Sequence, residues 1–110
     1  MKLPEQLKIE IVELLKPLKP DKVILFGSYA WGEPDDESDV DLYVVTRDNF
    51  MPKNFSEKME VKLSVARQLA DFRKEFSTDL VVHTRPMHRK FLELNSSFAR
   101  QVMAKGVVLL

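Results

Sequence analysis

Asp39 and Asp41 stand one residue apart in "SDVDLYVV", at the mouth of an apolar run that reads as a β-strand. Strand side chains alternate, so positions i and i+2 share a face, with Cα atoms roughly 7 Å apart. Two carboxylates at that separation repel by roughly 2 kcal/mol at an effective dielectric of about 20. A divalent cation reverses the sign, and magnesium favours carboxylate oxygens together with substrate phosphates. Taken alone, the pair reads equally well as surface decoration.

Gly27 and Ser28 lie upstream, where the apolar run "KVILF" stops and "SYAWG" can begin a helical turn. Unpaired N–H groups at such a turn suit a phosphate, glycine lets the backbone come close, and Ser28 adds a hydroxyl donor. A lone Gly-Ser is more ordinarily a plain strand-to-helix turn. Gly27 and Gly32 have the spacing of P-loop glycines, but Glu33 and Pro34 stand where that motif needs Lys and Ser or Thr. A calcium loop counted from Asp35 fails as well, with Val40 at its sixth position and Thr46 at its twelfth. Asp35, Asp36 and Glu37 read as a solvated turn. Asp79 opens "TDLVVHT". Alone it caps a strand or pairs with a lysine. If its strand neighbours residues 40–45, it converges on Asp39 and Asp41. Three carboxylates can hold two metals about 4 Å apart, and one near an acceptor hydroxyl can take its proton.

The elements that must position these residues follow from periodicity. Pro4 suits a first helical turn. Leu7, Ile11, Leu14, Leu15 and Leu18 recur at helical spacing, and Pro17 and Pro20 end that helix. Residues 22–26 and 40–45 predict strands, and 47–55 a loop. A long helix is expected over 57–75, capped by Ser56 or Asn54, its apolar stripe including Met59, Leu63, Ala66, Leu69, Ala70 and Phe72. Residues 78–84 predict a third strand. Pro86 starts a short helix, and "NSSFARQVMAKG" a last one with a serine cap and Gly106 at its end. "VVLL" closes as a short strand. The alternation predicts an α/β or α+β domain over 1–110, a small mixed sheet of about three to four strands flanked by helices.

Composition narrows the classes. The 110 residues suit one domain. The absence of cysteine excludes disulfides, thiolate zinc sites and cysteine nucleophiles. No apolar run is long enough for a membrane span, and the N-terminus lacks a hydrophobic signal region, so a cytoplasmic location is expected. Acidic and basic residues balance at 17 each, so direct nucleic-acid binding is not expected.

Together these residues resemble the minimal nucleotidyltransferase (MNT) domain of the DNA polymerase β-type superfamily. Its signature is Gly-Ser, a ten-residue spacer and Asp-x-Asp. Here "GS" at 27–28, the ten residues Tyr29 to Ser38, and "DVD" at 39–41 match without a gap. The flanks "LFGSYAWGE" and "SDVDLYVV", the later "STDLVV" and the closing "AKGVVLL" fit too, so the resemblance covers nearly the whole chain. It implies the nucleotidyltransferase fold. It implies that Gly27 and Ser28 hold nucleotide phosphates, that Asp39 and Asp41 bind two magnesium ions, and that Asp79 completes the metal site and activates the acceptor. The implied reaction moves a nucleoside monophosphate from a triphosphate, with pyrophosphate leaving.

Large superfamily members add domains that grip the acceptor. A chain of this size leaves no room for one, so the acceptor is expected on another protein. Small members resembling this sequence are commonly antitoxins paired with a helical HEPN-type ribonuclease toxin, and the resemblance implies transfer of AMP from ATP onto a tyrosine of that toxin (AMPylation). Two other readings stay open: an antitoxin that neutralises by binding alone, and a nucleotide-sensing module. Tyr29 and Trp31 could stack on a base, though aromatics in a short turn more often join the core. His83 shares the face of Asp79 and reads as a solvent-facing strand end. Arg85, His88, Arg89 and Lys90 form a basic cluster that reads more readily as a solvated helix start than as a contact for phosphates or an acidic partner. Lys22, Arg47 and Lys53 carry no assignment.

Overall fold

Three short β-branched runs and the helical repeats between them can bury their apolar residues only as a sheet with helices packed on it. The computed structural model describes residues 4–32, 34–35 and 37–110. Glu33 and Asp36, used in the loop readings above, lie outside the described residues. Helix α1 (Pro4–Leu15) leads through a 3₁₀ turn to β1 (Lys22–Phe26) and the one-turn α2 (Ser28–Trp31). Strand β2 (Val40–Val45) follows, then α3 (Phe55–Gln68), α4 (Ala70–Glu75), β3 (Thr78–His83), α5 (Arg85–Leu94), α6 (Ser97–Lys105) and β4 (Val107–Val108). The four strands form one mixed sheet in the order β3-β2-β1-β4. β1 runs antiparallel to β2 and β4, while β2 and β3 are parallel. Among the described residues, no helix is long and apolar enough to cross a membrane.

Pairing register lays the sheet out in rows. On one face Val23 pairs Val44 and Val44 pairs Val82; the next row is Leu25, Leu42 and Leu80. Leu7, Ile11 and Leu15 of α1, Val65 of α3, Leu69 and Phe72 pack against this face. On the other face the rows are Lys22–Val45–His83, then Ile24–Tyr43–Val81, then Phe26–Asp41–Asp79. Val102 of α6 and Phe91 of α5 cover its apolar middle. The polar rows at its two ends are where side chains remain available for chemistry.

The expected helix over 57–75 is two helices. The chain breaks at Leu69, whose φ of −99° and ψ of 11° leave the helical basin, and its N–H turns to Ala66 O at 3.1 Å. The break brings Leu69 and Phe72, three apart, into the same core. The buried stripe is Val61, Val65, Leu69 and Phe72, whereas Leu63 and Ala70 of the expected stripe are exposed. Asn54 is the cap, its Oδ1 accepting from Glu57 N at 2.9 Å. Ser96 caps α6 through Ala99 N. Gly106 ends it, where a Cβ would overlap Ile24 and the Val102 carbonyl.

His83 differs from the expectation of a solvated strand end. It is half-buried, and its Nδ1 lies 2.8 Å from Tyr43 Oη. The Nδ1 of His88 lies 2.8 Å from the same oxygen. Phe91 stacks on the Tyr43 ring at 4.8 Å. Burial lowers the pKa of His83 to about 4, reinforced by the His88 and Lys58 charges, and burial also lowers that of His88. Both rings are therefore neutral near pH 7, and each needs a partner for its buried nitrogen. Tyr43→Phe removes the shared hydroxyl and strands both Nδ1 atoms. It is expected to cost about 2 kcal/mol of stability, read from the urea midpoint at an unchanged slope.

Candidate active site

Site geometry begins with the end of β1. Phe26 pairs with Asp41, so the next residue, Gly27, turns directly over the Asp41 side chain. Its φ of 75° and ψ of −156° belong to a region that essentially only glycine occupies. A Cβ there would overlap the Asp41 carboxylate, with Cγ 2.9 Å away. Two independent constraints thus select glycine. Gly27 O accepts from Ala30 N and Trp31 N, each at 3.0 Å, which closes the turn. Tyr29 is buried in the core, as an aromatic in a short turn ordinarily is. Trp31 is exposed, but its Nε1 donates to Lys105 O at 2.7 Å and ties α2 to the end of α6. Among the described residues, neither ring is stacked on another aromatic side chain. Because α2 is a single turn, its value to an anion lies in its free amides and the Ser28 hydroxyl rather than in an accumulated helix dipole.

Asp41 is the hub of the acids. Parallel pairing sets it opposite Asp79 in the β2–β3 register. Asp39 precedes β2 and is exposed, as is Asp79, while Asp41 is half-buried. Burial pushes the Asp41 pKa up to about 6, helped by the negative charges of Asp79 and then Asp39. The same carboxylate therefore meets Gly27 on one side and feels both other acids. With their side chains as placed, the described residues contain no group of three Asp, Glu, His or Cys positioned to hold a metal ion. Asp41 and Asp79 come together on adjacent strands, and Asp39 approaches from the segment before β2. The donor set suits a hard divalent cation in its chemistry: all oxygen, negatively charged, and mutually repelling without a counter-charge.

Residues 9–110 match the family model described as polymerase beta, nucleotidyltransferase. The chain belongs to the polymerase beta nucleotidyltransferase family. A protein of Methanocaldococcus jannaschii provisionally named a protein adenylyltransferase is 42% identical over 50 residues, covering 36% of this chain and 50% of that one. The chain thus spans about half the length of that relative. A solved structure described as a toxin–antitoxin with AMP-PNP superposes with a TM-score of 0.56 at 25% identity, over 94% of this chain and 72% of that one. A mutant of the toxin–antitoxin MntA-HpeT shares the fold, with a TM-score of 0.56 at 24% identity. In this family member, the Gly27–Asp41 contact was not read from the sequence. It depends on β1 and β2 being antiparallel neighbours in one particular register. The Tyr43–His83–His88 cluster was missed for a similar reason, since His88 comes to it from a helix. Its available signal was a tyrosine inside an otherwise apolar strand, because a buried hydroxyl needs a partner.

Gly27→Ala is expected to lose at least about 2 kcal/mol of stability through backbone strain and overlap with Asp41, measured by denaturant unfolding. A second prediction concerns pH without divalent metal. The folded pKa of Asp41 is raised above its unfolded value, so the folded state binds the extra proton. Stability therefore falls as pH rises from about 4 through 6, then levels off. Asp41→Asn is expected to remove this step and raise stability at pH 8 by about 1 kcal/mol, after allowance for solvent screening. Parallel unfolding curves in EDTA at pH 4 and pH 8 check it.

Proposed function

We propose that this chain is a magnesium-dependent protein adenylyltransferase that acts as an antitoxin, moving AMP from ATP onto a hydroxyl of a HEPN-type ribonuclease toxin. The observation that carries the proposal is the close approach of Gly27 to Asp41, with Asp79 on the neighbouring strand. It joins a turn suited to phosphate with carboxylates suited to the metals that phosphate brings. The relative provisionally named a protein adenylyltransferase and the toxin–antitoxin with AMP-PNP support the choice of nucleotide and partner class.

In this proposal Gly27 admits the triphosphate close to the backbone and Ser28 donates its hydroxyl to a phosphate oxygen. Asp39, Asp41 and Asp79 would hold two magnesium ions. Bound there, the metals would neutralise phosphate charge and align the reacting oxygens. Asp79 accepts the proton of the acceptor hydroxyl. The freed oxygen forms a bond to the α-phosphorus, the bond from that phosphorus to the bridging α–β oxygen breaks, and pyrophosphate carries away the electron pair. Asp41 is the hinge of the arrangement, since it touches the turn and faces Asp79. The reaction takes place in the cell interior, where ATP and the toxin are both present.

The test uses ATP labelled at the α-phosphate, magnesium and a purified HEPN-type toxin as the acceptor. Label is expected on the partner and not on this chain. Asp41→Asn and Asp39→Asn should each lower the rate at least about a hundredfold, consistent with loss of a metal ligand in phosphoryl transfer. Labelling that survives in Asp41→Asn would sink the mechanism. Full neutralisation of the partner by an Asp39/Asp41 double variant would show that binding alone suffices.

A further inference from the structure

The face of the sheet that carries Asp41 is acidic at one end and basic at the other. Two rows beyond Asp41, Lys22 of β1 pairs with Val45, and Val45 with His83 of β3. Helix α5 lays His88 and Arg89 over this end. A cavity of about 170 Å³ lies there, lined by Asp21, Lys22, Val45, Arg85, His88 and Arg89. Its volume leaves room for a tetrahedral oxyanion with water.

The charges in the cavity are unequally committed. Arg85 is engaged with Asp21 through Nε at 2.5 Å and Nη2 at 2.7 Å, and with Asn49 through Nη1 at 3.1 Å. That pair is neutral overall. Among the described residues, neither Lys22 nor Arg89 has an ion-pair partner. His88 is 7% exposed, its Nδ1 is taken by Tyr43, and its Nε2 is buried without a protein partner. A buried ring nitrogen in that condition calls for a ligand or an ordered water. Burial, and then the Lys22 charge, hold His88 neutral, so only one of its nitrogens carries hydrogen.

We propose that this cavity is a binding site for a single phosphate-class oxyanion, held by Lys22, Arg89 and the Nε2–H of His88. The site is separate from the Gly27–Asp41 end of the sheet. Its occupancy dictates the direction of a hydrogen-bond chain. An anion selects the Nε2–H tautomer of His88, whose bare Nδ1 accepts from the Tyr43 hydroxyl. Tyr43 Oη then accepts from His83 Nδ1–H. His83 is left with a bare Nε2 beside the groove it shares with Lys58 and Lys90. The state of this cavity is thereby written onto a different surface of the molecule through three side chains.

The experiment uses the full chain with ¹⁵N-labelled histidine in EDTA, titrated with inorganic phosphate against chloride at matched ionic strength. The His88 ring resonances are expected to shift saturably. The bound state should show His88 as the Nε2–H tautomer and His83 as the Nδ1–H tautomer. The double variant Lys22→Gln, Arg89→Gln should weaken binding at least roughly tenfold with its circular dichroism unchanged. Ser28→Ala should leave the His88 response intact, which separates this site from the phosphate-binding turn. A parallel titration with glycerol phosphate distinguishes sources: equal binding assigns the site to the phosphoryl end of a larger molecule, and exclusion assigns it to free phosphate. Absence of a saturable His88 shift, a bound state with His88 as Nδ1–H, or wild-type binding by the double variant would each overturn the proposal.

Discussion

Asp41 can lie against the turn that follows β1 only because residue 27 has no Cβ. The antiparallel pairing of Phe26 with Asp41 brings the end of β1 onto this carboxylate, and the parallel pairing of Asp41 with Asp79 brings in the second acid. A Cβ at position 27 would overlap the Asp41 side chain at the point where both pairings meet. Burial desolvates the Asp41 carboxylate and the charges of Asp79 and Asp39 repel it, which together raise its pKa to about 6. Such a group is costly in a resting fold and useful where a cation is to be held.

Strand β2 is the spine that makes this arrangement possible. It is paired with β1 on one edge and β3 on the other and packed by apolar side chains on both faces, and it reads as a nearly continuous apolar run. Its even and odd positions serve different layers. Val40, Leu42 and Val44 enter the core beneath α1, α3 and α4. Asp41, Tyr43 and Val45 line the face beneath α5 and α6. Along that face the chemistry changes from acids, through a hydroxyl held between two imidazoles, to cations. The separation follows from strand geometry: each row lies roughly 7 Å beyond the last, which is far enough to keep acids and bases from neutralising one another directly.

Much of this was legible in the residues. The strands over 22–26 and 40–45 stand where their apolar runs placed them, because a β-branched run flanked by turn residues has few alternatives. The mixed sheet with flanking helices followed from the alternation of elements. Inside the 57–75 segment the reading erred, since Leu63 and Leu69 are equally apolar and only packing separates them. Leu69 meets the core formed with Ile11 and Leu42, and Leu63 meets solvent. His83 and His88 were read as solvated or basic because local sequence does not show that both rings reach one tyrosine hydroxyl.

The sequence by itself determined the elements, the spacing of Gly27–Ser28 from Asp39 and Asp41, and the family to which the chain belongs. These rest on local covalent and steric rules that act over a few residues. Only the tertiary structure decided that Gly27 abuts Asp41, that Asp79 is the neighbour of Asp41 rather than of Asp39, and that Tyr43 joins two histidines. Each of those depends on strand order and register. Register is a collective outcome: a shift of one residue would turn every side chain of β2 to the opposite face. The fold avoids that shift because it would expose Leu42 and Val44 to the half-polar face and bury the carboxylates in the main core.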